Sequence, residues 1–233
     1  MGLKEELKTE IEAIIVSDHW TKRKGLVVPE PDDLGLRNDA VEFDGTVLYA
    51  DMADSTDLVD THSAHLAAEV YKSFMVCAAR IIKNAGGTIT AYDGDRIMGI
   101  FIGENKNTTA AKTALQINWA VSNIVNPVLK KQYGESAYRL KHAIGIDTST
   151  IFASRIGVRN DNDIVWVGRA ANYAAKLANL NDRDPVFMTA AVFDAMNKTS
   201  KYGGNPEKLM WEARSWTQVN NMRVYSSGWL WTA

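Results

Sequence analysis

VLYADMADST, from Val47 to Thr56, and AYDGDRIMGIF, from Ala91 to Phe101, decide the fold, because both read as strands and each carries an aspartate at its centre of interest. Alternation along the first sends Tyr49, Asp51 and Ala53 to one face and Leu48, Ala50 and Met52 to the other. Asp51 therefore stands where an apolar residue is expected. In the second stretch Asp93-Gly94 is a tight-turn signal that sets Asp95 just past a hairpin turn. Taken singly, either aspartate also reads as a turn residue. Taken together they suggest a metal, since a charge on a buried strand must be paired or coordinated. Two carboxylates plus substrate phosphates are the usual magnesium arrangement, which points to a phosphate-bearing substrate.

Working outward, helical spacing runs from Ser63 to Ala85 and stops at Gly86-Gly87. Thr88–Tyr92 and Arg96–Ile102 form the hairpin. A second helix is expected over Thr108–Tyr133, with Pro127 kinking it or ending it early. Tyr138–Asp147 reads as the next core strand and Ile164–Val167 as another, followed by helices at Ala170–Ala178 and Ala190–Met196. The tail, with Trp211, Trp216, Tyr225, Trp229 and Trp231, reads as two or three strands turning at Asn220-Asn221. The core order is β-α-β-β-α-β, an α+β ferredoxin-like plan. Ahead of it, Leu3–Val16 has helical spacing and TKRKGLVVPEPDDLG is an extended connector, an arm or a dimer contact. The expected division is residues 1–40 as N-terminal helix and arm, and 41–233 as one catalytic domain.

Composition bounds the partners. The 233 residues suffice for one large core, and 26 Lys plus Arg against 28 Asp plus Glu give no reason to expect a nucleic acid. No apolar run approaches the roughly 18 residues of a membrane span, and the charged start does not suit a signal peptide, so the expectation is a soluble, cytoplasmic protein without a membrane partner. The lone Cys77 lies in the apolar run FMVCAARII and reads as a buried structural thiol. His62 and His65 lack a third ligand and read as surface residues.

Asp51, Gly94-Asp95 and the later stretch GRAANYAAK at Gly168–Lys176 together resemble the catalytic domain of the class III nucleotidyl cyclases over about Val41 to Asn197. The resemblance implies a metal-binding Asp on the first strand (Asp51), a second in the hairpin (Asp95), and the backbone carbonyl of Met52 as an extra ligand. It implies two divalent ions, Mn²⁺ or Mg²⁺. Asn172 matches the asparagine that orients the ribose. Lys176 stands where the family has a phosphate-binding arginine, keeping the charge but not the bidentate fork. Because the family takes its metal pair and its asparagine-arginine pair from different subunits, a homodimer with sites at the interface is implied.

Departures from the family pattern bear on the base. Purine-using members read it with a lysine four before the second metal Asp and an Asp or Thr seven before the asparagine, which here are Ala91 and Val165. Both polar readers are gone. Tyr49, on the face of Asp51, with Tyr92 or Trp166, would narrow the cavity towards a single-ring base and stack on it. Arg96 adds a donor for a phosphate or a base carbonyl. The combination resembles the pyrimidine cyclases of bacterial antiphage defence. It implies a cyclic pyrimidine nucleotide, cyclic UMP or cyclic CMP, that activates a separate effector protein; Arg96, a donor suited to a carbonyl, favours UTP, with CTP as the alternative substrate. A silent nucleotide-binding dimer is the rival reading, supported by Lys176. The family's triphosphate-binding lysine of the C-terminal hairpin has no counterpart near Asn220-Asn221, leaving Arg214 or Arg223.

Overall fold

In the computed structural model, which describes residues 2–16, 19–135, 137–180 and 183–233, the two opening stretches lie side by side in one mixed sheet. In chain order the elements that position the site begin with helix α1 (Leu3–Ile15), strand β1 (Thr21–Lys24), the long strand β2 (Asp39–Ala53), and helices α2 (Ser55–Thr61) and α3 (Ala64–Asn84). The hairpin β3 (Thr88–Asp93) and β4 (Arg96–Phe101) follows, then α4 (Lys106–Ala120), a π-turn at Val121–Val125, and α5 (Asn126–Tyr133). Next come β5 (Lys141–Val158), β6 (Asp161–Val167), α6 (Arg169–Ala178), β7 (Val186–Thr189) and α7 (Ala190–Ala195). The tail supplies β8 (Glu212–Trp216) and β9 (Met222–Ser227), which turn through Asn220 and Asn221, both left-handed.

Among the described residues nine strands form this sheet, in the order β8-β9-β7-β5-β2-β4-β3, with β1 parallel to the start of β2 and β6 folded back on the far half of β5. Its centre, β5-β2-β4-β3, is antiparallel throughout and is the expected ferredoxin-like unit. The two faces of β2 separate as alternation requires. Leu48, Ala50 and Met52 enter a core with Phe74 and Ile82 of α3 and Leu115 of α4, whereas Val41, Phe43 and Val47 pack against Ala170 and Ala174 of α6, with Tyr49 alongside. Helices α3 and α4 cover the first face, and α6 packs over β5 and β2 on the second.

Several expectations change in extent. The first strand begins at Asp39, well ahead of Val47, because Gly45 is not a break; a Cβ there would lie 2.8 Å from Ile151 Cδ1, so the glycine serves close packing inside the strand. The third core strand runs on from Asp147 to Val158, its small polar residues pairing with Ala40–Thr46. The expected helix over Thr108–Tyr133 is one helical run from Lys106 whose ladder is relaxed by the π-turn, so that Pro127 falls in the first turn of α5, where its missing N–H costs nothing. Helix α2 and strand β7 are additions to the expected element order, and Trp229 and Trp231 lie beyond the last strand. Cys77 is half-buried rather than buried, at the outer edge of α3.

Candidate active site

Sheet register places the first aspartate. Asp51 pairs with Arg96 of β4 on one side and Ala143 of β5 on the other, and Arg96 in turn pairs with Asp93 of β3. Cross-strand partners share a face, so Asp93, Arg96, Asp51 and Ala143 make one row. Asp51 is 8 % exposed and its Oδ1 has no hydrogen-bond partner. Burial, then the neighbouring charge of Asp95, push its carboxyl up from 3.8 to about 7, with Arg96 acting the other way. Arg96 Nη2 donates to Asp93 Oδ2 at 2.7 Å, which ties the guanidinium to the hairpin rather than to Asp51.

The second aspartate is brought in by the turn. Gly94 takes a positive φ of 61°, open to glycine without steric cost, and Met52 N donates to the Asp95 backbone carbonyl at 3.3 Å, docking the turn on the end of β2. Met52 itself buries its side chain in the core, so only its backbone faces this region. An orphaned carboxylate oxygen beside a second carboxylate, both repelling, is a donor set that a divalent cation satisfies. Among the described residues no cluster of three or more His, Cys, Asp or Glu forms a closed cage, so an ion held here would complete its shell with phosphate oxygens and water. A cavity of about 210 Å³ opens beside Asp51, between Ala53, Asp54 and the end of α6 at Ala178, Asn179 and Leu180.

The next row along the same face is Ala91, Met98, Tyr49 and Gly145. Its only polar side-chain group is the Tyr49 hydroxyl, and burial raises the pKa of that phenol further. Tyr92 does not join Tyr49: it pairs with Ile97 in the alternate row and is 60 % exposed. Trp166 also lies apart, edge-on to Phe43 with centroids 6.4 Å apart.

Residues 41–220 match the adenylate and guanylate cyclase catalytic domain family. The chain belongs to that family. The uridylate cyclases of Xanthomonas perforans and Burkholderia cepacia are 45% and 43% identical to it, over 99% and 100% of both chains in each case. A guanylyl cyclase structure superposes with a TM-score of 0.66 at 17% identity, covering 82% of this chain and 94% of that one, which supports the fold. The protein is accordingly a nucleotidyl cyclase, an enzyme.

In this cyclase a single chain does not assemble all the expected positions. Asp51, Asp95, Met52, Tyr49, Ala91 and Arg96 converge at one end of the sheet. Val165 pairs with Ser154, eleven residues along β5 from Ala143, which is on the order of 35 Å in an extended strand. Asn172 and Lys176 are exposed, one turn apart on α6, with no side-chain hydrogen bond or ion pair among the described residues. The C-terminal arginines are engaged elsewhere: Arg214 bonds Asp184 at 3.4 Å and Glu212 at 2.9 Å, while Arg223 lies 5.0 Å over the ring of Tyr225. His62 packs edge-on to Tyr138, and His65 is exposed.

Two features escaped the sequence reading. Asp93 was in plain view as a turn residue, but only the two-residue turn and its register set it against Arg96. Asp147, fully buried, receives Arg169 Nε at 3.0 Å. The signal for it was a charge closing the apolar run AIGI, with an arginine at a helix start to answer it.

Proposed function

We propose that this cyclase converts UTP to 3′,5′-cyclic UMP and pyrophosphate, as a homodimer whose two sites each combine Asp51 and Asp95 of one subunit with Asn172 and Lys176 of the other. The observation that carries the choice of base is the row Ala91, Met98, Tyr49 beside the carboxylates. A purine there would find no partner at Ala91 for its ring-edge polar groups, and each buried group left unpaired costs about 1–3 kcal/mol. Tyr49 narrows the same row and offers a ring face to a single-ring base. The full-length likeness to the two uridylate cyclases supports the same base. Arg96 favours uracil over cytosine, since a donor suits the uracil O4 carbonyl where cytosine carries an amino group.

Two divalent ions, Mn²⁺ or Mg²⁺, held by Asp51, Asp95 and the Met52 carbonyl, would acidify the ribose 3′-hydroxyl and neutralise the triphosphate. The protein's own part is orientation and charge. Asn172 holds the ribose so that its 3′-oxygen faces the α-phosphorus, in line with the departing pyrophosphate. Lys176 donates to the phosphate oxygens as negative charge builds on them. That both lie on the exposed side of α6, without a side-chain partner among the described residues, supports their delivery to a second subunit. The cyclic nucleotide then acts as a diffusible signal on a separate effector protein, in defence against phage. Residues 1–40 are taken as an N-terminal helix and arm, whose β1 joins the sheet, ahead of a catalytic unit of 41–233.

Purified protein incubated with Mn²⁺ and each of ATP, GTP, CTP and UTP in turn, with products identified by mass spectrometry, tests the reading. Cyclic UMP is expected. Cyclic CMP alone would transfer the assignment to the cytidylate reading; a cyclic purine nucleotide would overturn the pocket argument, and no product at all would favour a silent nucleotide-binding dimer.

A further inference from the structure

The end of α6 that precedes Asn172 is fastened to β5 with unusual density. Asp147 is fully buried and accepts from Arg169 Nε at 3.0 Å, from Arg169 Nη2 at 3.2 Å and from the Thr189 hydroxyl of β7. Arg169 Nη2 also donates to the Thr148 carbonyl at 2.8 Å. One residue on, Ala170 N donates to Ser149 Oγ at 2.9 Å. Arg169, Asn172 and Lys176 fall at i, i+3 and i+7, a single stripe along the helix. The guanidinium nevertheless turns to a carboxylate inaccessible to water, whereas Asn172 and Lys176 are exposed. A planar fork answered on two of its edges, by a carboxylate and by a carbonyl one residue later, fixes the roll of the helix as well as its distance from the sheet.

We propose that the Asp147–Arg169 pair is a positioning device for catalysis: it sets the rotation of α6 so that Asn172 and Lys176 reach the substrate together. Arg169 is a positioning residue, and the inference rests on the reading that α6 serves the reaction. Reacting atoms tolerate little misplacement, so a small roll of the helix is felt in turnover before it is felt in folding.

The test uses the full-length enzyme, saturating metal and whichever triphosphate the unaltered enzyme turns over. Arg169→Lys keeps the charge and loses the fork; Asp147→Asn keeps the shape and loses the charge. Expected for both is a fall in kcat of about tenfold or more, with KM within twofold, unchanged circular dichroism, and a thermal midpoint well above the assay temperature. The double variant should fall no further than the worse single one, because both cut the same contact. Asn172→Ala separates the two readings. If it loses turnover while Arg169→Lys and Asp147→Asn keep kcat within twofold, the positioning role is overturned and the proposed site stands. If Asn172→Ala keeps full turnover, α6 has nothing to position and both fail. A raised KM with kcat retained in Arg169→Lys would make Arg169 a substrate contact and overturn the proposal, as would multiplicative losses in the double variant.

Discussion

Asp51 and His142 sit on neighbouring strands, and protons act on them in opposite senses. His142 is 8 % exposed, faces the Phe74 ring at a centroid distance of 6.1 Å, and its Nε2 has no partner; burial lowers its pKa from 6.5 to about 4. Its contribution to stability is complete above pH 6.5 and is lost as pH falls through that window towards 4, since only the unfolded chain protonates it readily. Asp51, raised from 3.8 to about 7, does the reverse: protons favour its folded form, and that stability is lost as pH climbs from about 4 to 7. In metal-free protein the two slopes oppose each other. Asp51→Asn should therefore steepen the rise of stability between pH 4 and 6.5, and adding His142→Leu should flatten it, both read from urea midpoints. Above pH 7, Asp51→Asn should also be more stable than the unaltered protein in the absence of metal, while losing cyclisation entirely. A metal-free variant less stable than its parent at pH 8 would mean that Asp51 is well solvated. Asp51 was legible in the sequence because a charge interrupted an apolar strand. His142 was not, because a histidine beside LK at a strand start carries no pattern that announces burial.

At the scale of elements, the strand-helix alternation was readable wherever an apolar period was clean. Ser63, Gly86-Gly87 and Asp93-Gly94 marked the ends of α3 and the hairpin, and Ser63 Oγ accepts from Leu66 N at 3.3 Å as an N-cap should. Ser63→Ala should cost about 1 kcal/mol in chemical denaturation and leave kcat unchanged. Less readable were elements whose residues answer to tertiary neighbours. The run TST after Asp147 looks like a loop, yet it continues β5 because Thr148 and Ser149, with Asp147, hold α6 and Thr148 also bonds the Gly45 carbonyl at 3.2 Å. Strand β7 is four wholly buried residues after Pro185, too short for any period to show. Near Pro127 the helix continues because Asn126 exchanges two hydrogen bonds with Leu140, at 2.8 and 3.0 Å, pinning the π-turn to the start of β5. Asn126→Ala should accordingly loosen this joint, seen as faster amide exchange over 121–133 with little change in the sheet.

For the whole molecule the decisive experiment is complementation. If each site draws on both subunits, Asp51→Ala and Asn172→Ala homodimers are both inactive, but mixing them in equal amounts and allowing exchange restores about a quarter of full activity, because half the dimers carry one intact site of two. No recovery after verified exchange would place both residues in one subunit's site. Helix α1 belongs to this scale as well: Leu7, Ile11 and Ile14 along one side are each about half exposed, and none of its residues is buried. Deleting residues 1–16 should reduce binding of an apolar dye.

The sheet and α6 meet at Gly145, where a Cβ would stand 2.0 Å from the Ala174 carbonyl oxygen and 2.6 Å from Ala178 N. What blocks a side chain there is main chain, which mutation cannot trim. A population carrying Gly145→Ala, put under selection for the cyclase, should therefore regain activity by restoring glycine and not through second-site changes in the side chains around it.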